Sequence, residues 1–222
     1  MLEELFPNVI MENLWTATYE TLYMTVISVI GTFILGIILG LLLYLTDRGN
    51  LWSNRVINGI TATVVNVFRA IPFIILILLL IPFTDFLMDT IRGPKAALPA
   101  LIIGSAPFYA RLVEIALKEV DKGVIEAAKS MGAKTHTIIF KVLLQESKPA
   151  LVGGLTVTAI ALIGYTAIAG VIGAGGLGDL AYMHGFQRRN NDVVFACTVF
   201  IVAIVFIFQW AGDFVSKRID KR

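Results

Sequence analysis

Only one cysteine and two histidines occur in the 222 residues, and charged side chains make up just 15% of them. Each shortage excludes something. A lone Cys197, set in an apolar run, cannot form a disulfide within the chain, so it marks no redox compartment. His136 and His184 are too isolated to suggest a metal site and read as solvated loop residues. A net charge of +2 gives no argument for a nucleic-acid partner. A phosphate-cradling Gly-x-x-x-x-Gly-Lys-Ser/Thr loop is missing too. The nearest segment, Gly132-Ala133-Lys134-Thr135, lacks the second glycine directly before the lysine, and no strand pattern precedes it. The sequence therefore predicts no catalytic residue, no cofactor and no metal. Any ATP chemistry has to belong to another polypeptide.

What is abundant is apolar length. Hydrophobic residues make up 57% of the chain, whereas charged ones fall well below the roughly 25% usual in soluble domains. Exposed to water, such a surface would be one large apolar patch, so the chain reads as embedded in a membrane. About 20 mostly apolar residues carry a helix across a hydrocarbon core roughly 30 Å thick. Five stretches qualify: 21–46, 58–83 interrupted only by Arg69, 96–117 with Arg111 and Glu114 near its far end, 149–170, and 193–213. The expectation is a single all-α polytopic domain, residues 1–222, with five transmembrane helices and a long polar segment at 118–148.

Basic residues orient it. Arg48, Arg55, six lysines between 118 and 148, and the tail Lys217, Arg218, Lys221 and Arg222 share one side, which the positive-inside rule makes cytoplasmic. The other side has Arg92, Lys95, Arg188, Arg189 and an acidic N-terminus bearing Glu3, Glu4 and Glu12. The N-terminus is therefore expected outside and the C-terminus inside. Acidic residues ahead of the first apolar run are the wrong charge for a cleaved signal peptide.

The segment 118–148 has helical periodicity. Ile138, Ile139, Val142 and Leu143 fall on one face of a short helix starting near Thr135, and Gly132 supplies a bend before it. It reads Glu126-Ala127-Ala128-Lys129-Ser130-Met131-Gly132, then nine residues, then Val142-Leu143-Leu144-Gln145. This resembles the EAA loop of binding-protein-dependent ABC importer permeases: Glu-Ala-Ala, three residues, Gly, nine residues, then aliphatic-x-Leu-Pro. Glu126, Ala127, Ala128, Gly132, Val142 and Leu144 fall on the pattern, and Gln145 stands where that family has proline, which implies a softer helix stop with Pro149 as a later break. The resemblance implies a coupling helix-turn-helix that docks into a separate ATPase subunit. The six lysines also fit an amphipathic helix lying on the lipid surface.

Further likeness narrows the family. Asn66 to Ile75 with Ile81-Pro82-Phe83-Thr84, Ala106-Pro107-Phe108-Tyr109-Ala110-Arg111 with Glu114, and Gly164-Tyr165 are similar to segments of methionine importer permeases, and the likeness runs from about Tyr23 to Asp213. The glycine-rich stretch holding Gly173, Gly175, Gly176 and Gly178 also resembles permeases for glycine betaine and phosphonates. What this implies is a type I permease fold in a bacterial cell membrane, a homodimer with two cytoplasmic ATPase subunits and an extracytoplasmic solute-binding protein. The cargo implied is methionine, L- or D-. Glycine betaine, a phosphonate or another amino acid are alternatives, and a secondary carrier or channel is the reading from a different class.

Within the spans, Arg69, Arg111 and Glu114 are read as lying towards the cytoplasmic ends, where they form a polar cluster near the path or snorkel to headgroups. Tyr165 and Ile168 are candidates for the translocation pathway, Ile168 as a dewetting gate, with ordinary helix packing as the alternative. Gly36 and Gly40 are expected to pack helices.

Overall fold

The computed structural model describes residues 8–219; Glu3 and Glu4 of the acidic N-terminus and Lys221 and Arg222 of the basic tail lie outside the described residues. The described residues are almost all helical and contain no strand. Helix α1 covers Met11–Thr46. At 1.5 Å per residue it is about 54 Å long, well beyond the roughly 30 Å of a hydrocarbon core. Its buried face is small and hydroxylic rather than leucine-rich: Thr18, Thr21, Thr25, Ser28, Thr32, Gly36 and Gly40. The hydroxyls of Thr18, Thr21 and Thr25 donate back to carbonyls four residues earlier, so most of this polarity is satisfied inside the helix.

That narrow face seats helix α5 (Pro94–Lys118). A Cβ added at Gly36 would strike the Tyr109 ring and one at Gly40 would strike Val113, so both glycines pack helices together. Thr32 and Ser105 hydrogen-bond across the same contact.

The stretch 58–83, expected as one span, is bent. Helix α2 (Arg55–Ala70) is capped by Asn54, whose side chain accepts from the amides of Val56 and Ile57. It stops at Ala70 because Pro72 has no amide and forces Ile71 into extended backbone. Helix α3 (Phe73–Leu79) leaves at 107° to α2, and α4 (Ile81–Met88) follows. Helical periodicity cannot show such a turn, since the residues on both sides of it are apolar. After α5 come α6 (Lys122–Ser130) and α7 (135–146), π-helical over Ile138–Leu143. Helix α8 (Lys148–Ala169) runs on as a π-helical turn that kinks at Gly173, α9 covers 176–186, and α10 is Asn191–Ile219. By length and composition, four helices can cross a membrane, or five if the bent pair is one span.

Three apolar clusters tie the helices together. One joins the ends of α1 and α5 to α6 and α7 through Leu45, Leu117, Ile125, Ile138 and Leu143. Another joins α1, α3, α5 and α8 around Met24, Phe73, Leu101 and Leu162. The last joins α1 and α8–α10 around Leu14, Ile163, Leu177 and Cys197.

Candidate functional site

The helical hairpin of α6 and α7 is built from its caps inward. Asp121 accepts from the amide of Gly123 to start α6, and Gly132 ends it with φ +77. A Cβ there would meet nothing within 4 Å, so the left-handed backbone, not crowding, is what calls for glycine. The amides of Gly132 and Ala133 close the turn onto the carbonyls of Lys129 and Ala128. Ile125 and Ala128 point into the apolar cluster with Ile138, Ile139 and Leu143, and Val142 and Leu144 pack against its edge. Glu126 and Ala127 face outward. The expected site residues thus divide into two sets. Glu126, Ala127 and Gly132 are surface, whereas Ala128, Val142 and Leu144 fasten the hairpin to the bundle. At Gln145 the helix simply continues to Glu146, and Pro149 then sits in the first turn of α8.

Two residues not singled out from sequence stand on the outer side of this hairpin: Met131, 81% exposed, and Phe140, 62% exposed. Phe140 had a readable signal, being an aromatic residue among the apolar Ile138, Ile139, Val142 and Leu143 yet off their face.

Beneath the hairpin lies an ionic chain. Glu114, almost fully buried, accepts from Arg111 at 2.6 Å and from Lys118 at 2.7 Å, and Lys118 also reaches Asp47 at 3.1 Å. The hydrogen bond from Lys118, helped by the Arg48 amide, holds the Asp47 carboxyl below its ordinary range. This chain ties the C-terminal ends of α1 and α5. Arg69 takes no part in it. Instead it lines a cavity of about 120 Å³ with Phe68, Phe73, Gly104, Phe108 and Tyr165. Gly104 is ten residues into the 25-residue α5 and Phe108 follows one turn later, so Arg69 stands beside the middle of that helix and outside the salt bridges of Glu114.

Tyr165 stacks on Phe73, with centroids 4.4 Å apart and planes at 8°. Ile168 packs against the same cluster as Met24 and Leu162. The glycine-rich turn is clamped. Glu20 on α1 accepts from the Gly176 amide at 2.7 Å, and Thr21 accepts from the Leu177 amide at 2.9 Å. The Gly173 carbonyl, between α8 and Gly175, accepts from Gly93. Gly178 lies directly on the backbone of Ala167, where a side chain would not fit. Glu20 and Thr21 were not foreseen, because partners 156 residues away leave no local signature. His184 also departs from expectation: it lies in α9, half-buried, with Nδ1 enclosed and unpartnered, while His136 is exposed in the first turn of α7. Among the described residues no three His, Cys, Asp or Glu side chains group to hold a metal.

This arrangement, membrane-length helices with a helical hairpin packed on one end of the bundle, is that of a transport permease. Residues 32–221 match the family described as binding-protein-dependent transport system inner membrane component, and the chain belongs to that family. It is 68% identical over 222 residues, all of both chains, to the methionine import system permease protein MetP of Bacillus subtilis. It is 43% identical over 213 residues to the probable D-methionine transport system permease protein MetI of Pasteurella multocida, covering 96% of this chain and 98% of that one. An inward-facing structure of the MetNI methionine ABC transporter superposes with a TM-score of 0.93 at 42% identity, over 95% of this chain and 98% of that one. A structure of an amino acid ABC transporter, at 21% identity and a TM-score of 0.74, shares the fold.

Proposed function

We propose that this chain is the permease of an ATP-driven methionine importer, working as a homodimer with its N-terminus outside and its C-terminus in the cytoplasm. Two ATPase subunits hold the two hairpins, and an extracytoplasmic binding protein delivers L- or D-methionine to the outer face. The chain itself hydrolyses nothing. It converts the closing of its motor into alternating access, because the motor binds one state of the permease pair better than the other.

The observation that carries this reading is the two-sided hairpin. Its inner face is packed into the ends of α1 and α5 through Leu117, Ile125, Ile138 and Leu143, while Met131, Phe140 and Glu126 are exposed. A helix resting on lipid would need no rigid inner face. A lever needs both faces, one to grip the motor and one to push the bundle. The test is reconstitution with the ATPase and binding protein, comparing the wild type with Glu126→Lys. The variant is expected to insert normally and to hydrolyse ATP without accumulating methionine. Coupled uptake at the wild-type rate would overturn the assignment.

A further inference from the structure

We propose that Arg69 and the aromatic cavity beside it are where the transported amino acid pauses in the permease. The guanidinium takes the substrate carboxylate, and the rings take its thioether side chain. This deepens the proposed methionine import and rests on it.

Arg69 is the sole charged residue between Arg55 and Asp85, in a stretch otherwise apolar enough to be membrane-embedded. Among the described residues no carboxylate lies within ion-pair reach of it; the salt bridges of this region belong to Arg111, Lys118, Glu114 and Asp47. Arg69 is exposed on the described chain, and an ionisable residue in an apolar span without a partner marks a functional position. It stands in the last turn of α2, where helix carbonyls favour positive charge. It has an unused fork of donors suited to a carboxylate.

The rest of the lining fits the rest of the molecule. Phe68, Phe73, Phe108 and Tyr165 surround the cavity, and a thioether packs favourably against aromatic edges. Gly104 lets α3 pack closely along this wall, since a Cβ there would lie 3.1 Å from Leu76 and 3.2 Å from Phe73. The break in the span supplies an acceptor. Pro72 has no amide to offer the Phe68 carbonyl four residues earlier, so that oxygen is free of its helical donor and can take the substrate ammonium. A carboxylate receptor, an ammonium acceptor and an apolar wall within a cavity of about 120 Å³ suit one small zwitterion with an unbranched apolar side chain. The cavity is open to the side, as a transit site must be if the solute is to leave it.

The test uses the assembled transporter in lipid nanodiscs and a diazirine analogue of methionine as photoprobe. Uptake of methionine by the same preparation in liposomes is measured first. Illumination is expected to label Phe68, Phe108 or Tyr165, found by peptide mass spectrometry. Excess methionine should suppress the labelling at least about tenfold, a difference of 1.4 kcal/mol. Methioninol, which has no carboxylate, should not compete. Arg69→Gln should abolish labelling, and Arg69→Lys should retain part of it. If Arg69→Gln does not assemble, the methioninol comparison on the wild type decides alone. Equal competition by methioninol, or labelling only elsewhere, overturns the site while leaving the import reading standing. Absence of methionine uptake by the wild type overturns the import reading itself.

Discussion

Met131 and Leu143 lie on opposite faces of one hairpin and should fail in opposite ways. Met131 is 81% exposed, so its truncation removes almost no internal contact. Full burial of a methionine side chain is worth about 1.5–3 kcal/mol. With four-fifths of its surface available to a partner, Met131→Ala should therefore weaken ATPase binding by about 1–2 kcal/mol, roughly 5- to 30-fold in Kd, without lowering the melting temperature of the isolated permease. Phe140→Ala, removing a ring 62% exposed, should behave alike. Leu143 is 0% exposed at the centre of the inner cluster. Its truncation should cost about 2–5 kcal/mol of local stability and leave the docking surface chemically intact. Binding of the detergent-solubilised permease to its immobilised ATPase, run beside a thermal melt, separates the two. Phe86→Ala, 85% exposed on α4 before the Arg92–Lys95 side, is the control and should change neither reading. The reasoning is refuted if Met131→Ala binds the ATPase as well as Phe86→Ala does, or if it unfolds as early as Leu143→Ala.

Three more outcomes follow from the geometry. Glu114→Gln removes the shared anion under Arg111 and Lys118; since both cations are more than two-fifths exposed and can turn to water, the loss should be about 2 kcal/mol, read as a fall of roughly 5 °C in the melt. The Asp47 carboxyl is held low, so its bridge to Lys118 is complete above the ordinary aspartate range near 3.9 and is lost as pH falls through the lowered value. The difference in melting temperature between the wild type and Asp47→Asn should accordingly stay flat from about pH 8 to 5 and shrink only in stronger acid. Gly176→Ala must place a Cβ 2.7 Å from the Thr21 hydroxyl at φ +81; the strain of about 1–3 kcal/mol should loosen the turn, seen as faster hydrogen exchange at Leu177.

How much of this the sequence discloses depends on the range of the interaction. Apolar length and the apolar face of the hairpin helix are local, and both are readable: Ile138, Ile139 and Leu143 are buried together where their spacing puts them. The pairing of Arg111 with Glu114 is local too, one helical turn apart. The bend at Pro72 is half-legible. Proline announces a break, but only the packing of Phe73 and Leu76 around Gly104 sets its direction, and direction is what separates Arg69 from the other two charges. The clamp of Glu20 and Thr21 on the glycine turn is illegible, because nothing in either segment names the other.

These illegible contacts connect the two ends of the molecule. Helix α1 carries the clamp on the glycine turn at Glu20 and, one long helix later, carries Tyr44 and Leu45 into the hairpin's cluster and Asp47 to Lys118. It is one unbroken helix from Met11 to Thr46, whereas the α2–α3 segment is broken. A push on the hairpin would therefore reach the glycine turn through a single helix, whereas the second span already changes direction at Ile71-Pro72. Proline alone does not set this difference, since α5 stays one helix through Pro99 and Pro107; α1 has no proline within it, and the second span turns by 107° where Pro72 stands.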